Sequence, residues 1–179
     1  MLNLSADITW GFATIVALLA GWIDWRSRRI PNWLTVSGFS AGIFANAILG
    51  GWAGAKTSLF GAGIALAALL PVVLLRGLGA GDWKLMGALG AIVGQEEIVY
   101  ILFAAIVVAG VIAVAQMIRE KRVFVTLLNL WELLRGFFVF GLKPHPEINL
   151  ENPAASTLPF GVAVAAATLL CCGAVLAGA

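Results

Sequence analysis

The stretch ITWGFATIVALLAGWIDWRSRRIPN, residues 8–32, decides what kind of chain this is. Residues 8–23 are apolar apart from two threonines, and Asp24 then opens a segment holding Arg26, Arg28, Arg29 and Pro31. An apolar run of that kind ending in an arginine cluster reads as a membrane span meeting the headgroups. An ionisable group at that boundary is costly to place and so marks a functional-site candidate. A second apolar run ends the same way, at the turn Gly79-Ala80-Gly81-Asp82, and the chain has only one other aspartate. Two carboxylates on one face of a bilayer can share a proton and activate a water, which is aspartyl protease chemistry.

Composition agrees with a membrane reading. Of the 179 residues 61% are hydrophobic and 11% charged, whereas a soluble domain carries about a quarter charged residues. The mean hydropathy is +1.01, and the excess apolar surface must face lipid. The expected fold is therefore all-α and integral to the membrane, one domain over residues 1–179. Six spans are predicted, at 8–23, 33–49, 57–75, 82–94, 98–118 and 157–176, with Pro71 kinking the third. Trp33 and Trp52 bracket the second, and the fourth is short and rich in glycine. Residues 1–10 hold no Lys or Arg and no cleavage site precedes a soluble domain, so the first span is expected to be retained.

Positive charge orients the bundle. Arg26, Arg28, Arg29, Arg76, Lys84, Arg119, Lys121, Arg122, Arg135 and Lys143 fall on one side under six spans, ten of the eleven basic residues. Lys56 alone falls on the other. The positive-inside rule places the ten in the cytoplasm and the N-terminus outside, so Asp24 and Asp82 both face the cytoplasmic boundary. The apolar stretch 123–141 invites a seventh span, but Thr126, Asn129, Glu132 and Arg135 recur every third residue. A helix lying on the cytoplasmic surface accounts for that stripe better. Gly38…Gly42 and Gly90…Gly94 have the spacing that lets helix backbones approach.

Each marked residue also has an ordinary reading. Asp82 is a natural helix N-cap, and Asp24 is neutralised by its neighbouring arginines. Both readings together require two carboxylates to share one depth by coincidence. Asn32 is expected to cap the second helix, and Lys84 to snorkel toward the headgroups. His145 lies between two prolines, and Glu96 and Glu97 belong to the opposite face. The adjacent Cys171 and Cys172 read as small apolar residues, and one His with no spaced Cys pair gives no zinc site. The glycines at 77–81 lack the lysine and hydroxyl of a phosphate loop. No Gly-x-Ser-x-Gly motif occurs. The basic residues are loop charges at a membrane, not a nucleic-acid footprint.

Asp24 with Arg26, Arg29, Ile30, Pro31 and Asn32, then Gly79-Ala80-Gly81-Asp82 with Lys84-Leu85, resembles the type IV prepilin peptidase family, membrane aspartyl proteases of the Gly-x-Gly-Asp type. Leu158-Pro159-Phe160-Gly161 is similar to a further family pattern. The resemblance implies an aspartic-type endopeptidase of the bacterial cytoplasmic membrane with Asp24 and Asp82 as its catalytic pair and no cofactor or metal. It implies prepilin or pseudopilin partners, cut after a glycine at the cytoplasmic border in pilus assembly or protein secretion. Longer members also methylate the new N-terminus and carry a cytoplasmic insertion, often with zinc-binding cysteines. Here only residues 25–32 join the first two spans, which implies the short, peptidase-only kind linked to Flp or Tad pili. Gly79 and Gly81 would let a substrate backbone approach.

Three rivals remain at this stage. A small proton-coupled transporter would use the two aspartates as relays. An assembly subunit would use them only to cap and pair. A presenilin-like protease would share the chemistry, with a deeper site.

Overall fold

The computed structural model describes residues 4–121, 123, 124, 126–128, 131, 132, 135 and 159–177, with side chains from residue 8 onward. Five helices are complete within them: α1 (Leu4–Ser27), α2 (Asn32–Leu74), α3 (Ala80–Val93), α4 (Glu97–Arg119) and α5 (Phe160–Leu176). Residues 8–27 of α1, the whole of α2 and the whole of α4 are long and apolar enough to cross a membrane. The protein is thus a multi-pass membrane protein, and all its regular structure among the described residues is helical. The described residues of 123–135 are helical, but most of the expected surface helix at 123–141 lies outside the described residues, as do His145 and Leu158.

Where two spans are predicted at 33–49 and 57–75, one helical run of 43 residues appears. Within it only Gly51, at φ 59° and ψ −142°, leaves helical geometry. That conformation is cheap for glycine alone, and it turns the chain back on itself. In a straight helix Gly42 and Gly61 would stand about 28 Å apart. Instead Gly42 lies against Ile92 and Gly61 against Gly90, both in the last turns of α3. The two legs of α2 therefore run antiparallel with α3 packed against both.

α3 is the centre of the fold. Every residue from Leu85 to Ile92 is buried, as expected of a helix that is apolar all round. Its 14 residues rise about 21 Å, less than the roughly 30 Å of hydrocarbon. The small-residue spacings are used unequally. A side chain at Gly42 would meet the Ile92 backbone nitrogen at 2.8 Å, whereas one at Gly38 would stand an ordinary 3.5 Å from Val16 Cγ1. Gly90 meets Gly61 backbone to backbone, and Gly94, at φ 91°, is a turn.

The carbonyls at the end of α3 have no partner within their own helix. Asn46 Nδ2, from the first leg of α2, donates to Ala91 O (3.1 Å) and Ile92 O (2.9 Å). Ser58 Oγ, from the second leg, also donates to Ala91 O. At the other end, Trp83 Nε1 donates to Leu66 O at 2.8 Å. Both ends of the buried helix are thereby tied to α2. The turns after α1, α2 and α4 each place a basic residue in the left-handed region: Arg28 (φ 53°), Arg76 (φ 56°) and Lys121 (φ 55°). A cation there faces the negative end of its helix.

Candidate active site

Asp24 sits in the last turn of α1, where Arg28 N donates to its carbonyl at 2.8 Å. It is only 6% exposed. Its carboxylate points across the bundle to the beginning of α5, where Gly161 N donates to Oδ2 at 2.9 Å. Gly161 is the second residue of α5, so this amide is one that a helix leaves without an internal partner. A methyl group at 161 would stand 2.9 Å from Asp24 Cβ and 3.0 Å from Oδ2, so the contact requires glycine. One turn back, a side chain at Gly21 would meet Ala165 Cβ at 2.8 Å. Small residues on both helices bring α1 and α5 together at the depth of the carboxylate.

Asp82 is reached from the other direction. The N-cap of α3 is Gly79, and Asp82 is the third residue of the helix rather than its cap. A backbone hydrogen bond links it to Gly79, as a third-position carboxylate makes when it reaches back to the capping residue. A side chain at Gly79 would stand 3.1 Å from Asp82 Oδ2, and one at Gly81 would stand 3.2 Å from Ile30 Cβ. The missing side chains of both glycines thus leave room for the chain's own groups.

Ile30, Pro31 and Asn32 hold the first turn of α3 beside the end of α1. Ile30 packs on Gly81. Pro31, extended at φ −73° and ψ 143°, is the N-cap of α2, a role expected of Asn32. Asn32 is instead the first helical residue, and its Oδ1 accepts from Lys84 Nζ at 2.9 Å. Lys84, predicted to snorkel toward the headgroups, also ties α3 to α2 through this bond.

These constraints converge on one pocket of about 300 Å³, lined by Asp24, Arg28, Arg29, Ile30, Gly79, Ala80, Gly81 and Asp82. Both aspartates face it, and each lies within the other's electrostatic reach. Asp82 Oδ1 is buried with no hydrogen-bond partner among the described residues. Arg28 acts on Asp24 from the turn that ends α1. Glu97 opens α4 beyond Gly94, at the end of α3 away from Asp82. Among the described residues no cluster of three or more His, Cys, Asp or Glu is placed to hold a metal ion. Cys171 and Cys172 are free and half-buried.

Sequence reasoning did not foresee the amide of Gly161 as a partner of Asp24. A backbone N–H has no side-chain identity to read. The available signal was Pro159 opening a helix, followed two residues later by a glycine.

The model of the type IV leader peptidase family, Peptidase A24, matches residues 11–114, a stretch holding both aspartates. No curated protein matches the chain, and no solved structure does. The match spans more than half of the 179 residues. The chain belongs to the type IV leader peptidase family and is an aspartic-type prepilin peptidase.

Proposed function

We propose that this family member cleaves the leader peptides of Flp- or Tad-like type IV prepilins or pseudopilins, with Asp24 and Asp82 as its catalytic pair. The observation that carries the reading is the shared pocket: two carboxylates from different helices, each buried on its inner side, open onto one cavity large enough for a water and a peptide bond. Two carboxyl groups this close in a partly dry site do not both ionise readily. One, ionised, takes a proton from water as the water oxygen bonds to the scissile carbonyl carbon. The other, protonated, gives its proton to the carbonyl oxygen. Proton delivery to the amide nitrogen then lets the C–N bond break.

The pocket lies at the basic end of the bundle. Arg26, Arg28, Arg29, Arg76 and Lys84 cluster around the ends of α1, α2 and α3 that form it. Lys56 sits beyond the Gly51 reversal, 5.7 Å from the Trp52 ring. That asymmetry supports a cytoplasmic pocket, in the bacterial inner membrane. Among the described residues, counting the two legs of α2 separately gives six helical rods besides the helical residues of 123–135, which supports six passages with the N-terminus outside and one domain over 1–179. The turn from Ser27 to Asn32 leaves no room for an inserted module between α1 and α2, which supports the short, peptidase-only kind.

The test is co-expression with candidate prepilins, reading leader removal by mass. Asp24→Asn and Asp82→Asn should each lower cleavage by roughly 10²–10⁴-fold and leave membrane insertion intact. Appreciable cleavage by either inserted variant rejects the paired mechanism.

A further inference from the structure

The two carboxyl groups meet different partners, and the difference distinguishes base from acid. Asp24 Oδ2 accepts from the Gly161 amide at 2.9 Å, at the amino end of α5, where the helix carries roughly half a positive charge. Arg28 adds its own field from the end of α1. Both oppose the burial that otherwise disfavours a charge on Asp24. Asp82 is served on one side only, by the Gly79 backbone and the first turn of its own helix. Its Oδ1 is buried without a donor among the described residues. An ionised carboxylate can only accept, and a buried acceptor with no donor is penalised. A buried group without a partner costs far less as the neutral acid than as the charged carboxylate. Among the described residues, the charged groups that line the pocket with the pair are Arg28 and Arg29 from the turn after α1. Lys84 of α3 is engaged by Asn32, and from α5 the identified partner is the Gly161 amide.

We propose that Gly161 is a positioning residue whose amide, with the amino end of α5, holds Asp24 as the ionised carboxylate while Asp82 carries the pair's single proton. The assignment rests on the pair being catalytic, as proposed above. Asp24 then takes the proton from water as its oxygen bonds to the carbonyl carbon, and Asp82 gives its proton to the carbonyl oxygen, forming a gem-diol. Asp24 next passes its proton to the amide nitrogen, the C–N bond breaks, and Asp82 recovers a proton from one of the two hydroxyls as the carboxylic product forms. Both residues return to their starting states.

The direct test labels the aspartate carboxyl carbons with ¹³C in the full chain, held in lipid nanodiscs. The chain's three aspartates, Asp7, Asp24 and Asp82, give three carboxyl resonances, each assigned by its loss in the corresponding Asn variant. On lowering the pH, the Asp82 resonance should take up a proton first and Asp24 later. The reverse order overturns the proposal whether or not any prepilin is cleaved, while cleavage by the Asn variants would overturn the catalytic reading instead. A second arm replaces the Gly161 amide by an ester, removing the N–H without adding bulk. The acidic limb of the kcat/KM profile should rise by about one pH unit. An unmoved limb, with the alkaline limb shifted in its place, also overturns it.

Discussion

Gly161→Ala places the smallest available perturbation directly on Asp24. The added methyl would stand 2.9 Å from Cβ, 3.0 Å from Oδ2 and 3.2 Å from Cγ of that residue. Carbon atoms in ordinary contact lie about 3.5–4.0 Å apart, so the carboxylate must retreat by roughly 0.6–1 Å. Because α1 also meets α5 closely at Gly21 and Ala165, the backbone has little freedom to absorb the shift. A misplacement of about 1 Å in a reacting group costs around 10²-fold in rate, equivalent to about 2.7 kcal/mol of barrier. Overpacking of this size costs about 1–3 kcal/mol of stability, which calls for a folding control. The assay is steady-state cleavage of a matching prepilin by protein in nanodiscs, with thermal unfolding followed by circular dichroism. The expected result is kcat reduced about 100-fold, KM little changed and a cooperative melt retained. A folded variant with kcat within about threefold of the parent would show that this contact does not set the position of Asp24.

Asn46→Leu and Ser58→Ala should each lower stability by about 1–2 kcal/mol, because they strip donors from the Ala91 and Ile92 carbonyls. Denaturation in detergent checks this, and an unchanged midpoint in both would mean those carbonyls are satisfied otherwise. Cleavage below the melting range should be unaffected, since both residues lie at the end of α3 away from Asp82. Single cysteines at positions 29 and 52, in a chain with Cys171→Ala and Cys172→Ala, should react oppositely with an impermeant maleimide on spheroplasts. Position 52 should label and position 29 should not; the reverse pattern inverts the orientation.

How much of this was legible in the chain depended on which physical signal each feature leaves. The meeting of Asp24 and Asp82 could be read because apolar runs and arginine clusters are both written in side chains, and they agreed. The end of α1 and the start of α2 followed from the same stretch, with Pro31 rather than Asn32 taking the cap because its fixed φ already suits the helix start. The reversal inside α2 hangs on one left-handed residue, Gly51, among many glycines that look alike in sequence. The shortness of α3 was visible, but not the reason: a helix enclosed on all sides need not match the bilayer thickness. The grip of α5 on Asp24 runs through a backbone amide, which every residue but proline possesses, so the pattern Leu158-Pro159-Phe160-Gly161 could mark the start of the helix but not the group its amide would hold.

The placement of polar groups along α3 bears on the choice between hydrolase and proton carrier. A carrier needs a polar route from one face to the other. Beyond Asp82 and Lys84, α3 continues as Leu85, Met86, Gly87, Ala88, Leu89, Gly90, Ala91 and Ile92, all buried and none titratable. The polar side chains from α2 identified at its far end, Asn46 and Ser58, are bonded to carbonyls of that helix. The pocket with both carboxylates is lined from α3 only as far as Asp82, and Arg28 and Arg29 line its basic side. Such a site can receive an extended peptide and a water from one side. It offers a proton no onward relay through α3, which favours hydrolysis at one membrane face over transport across it.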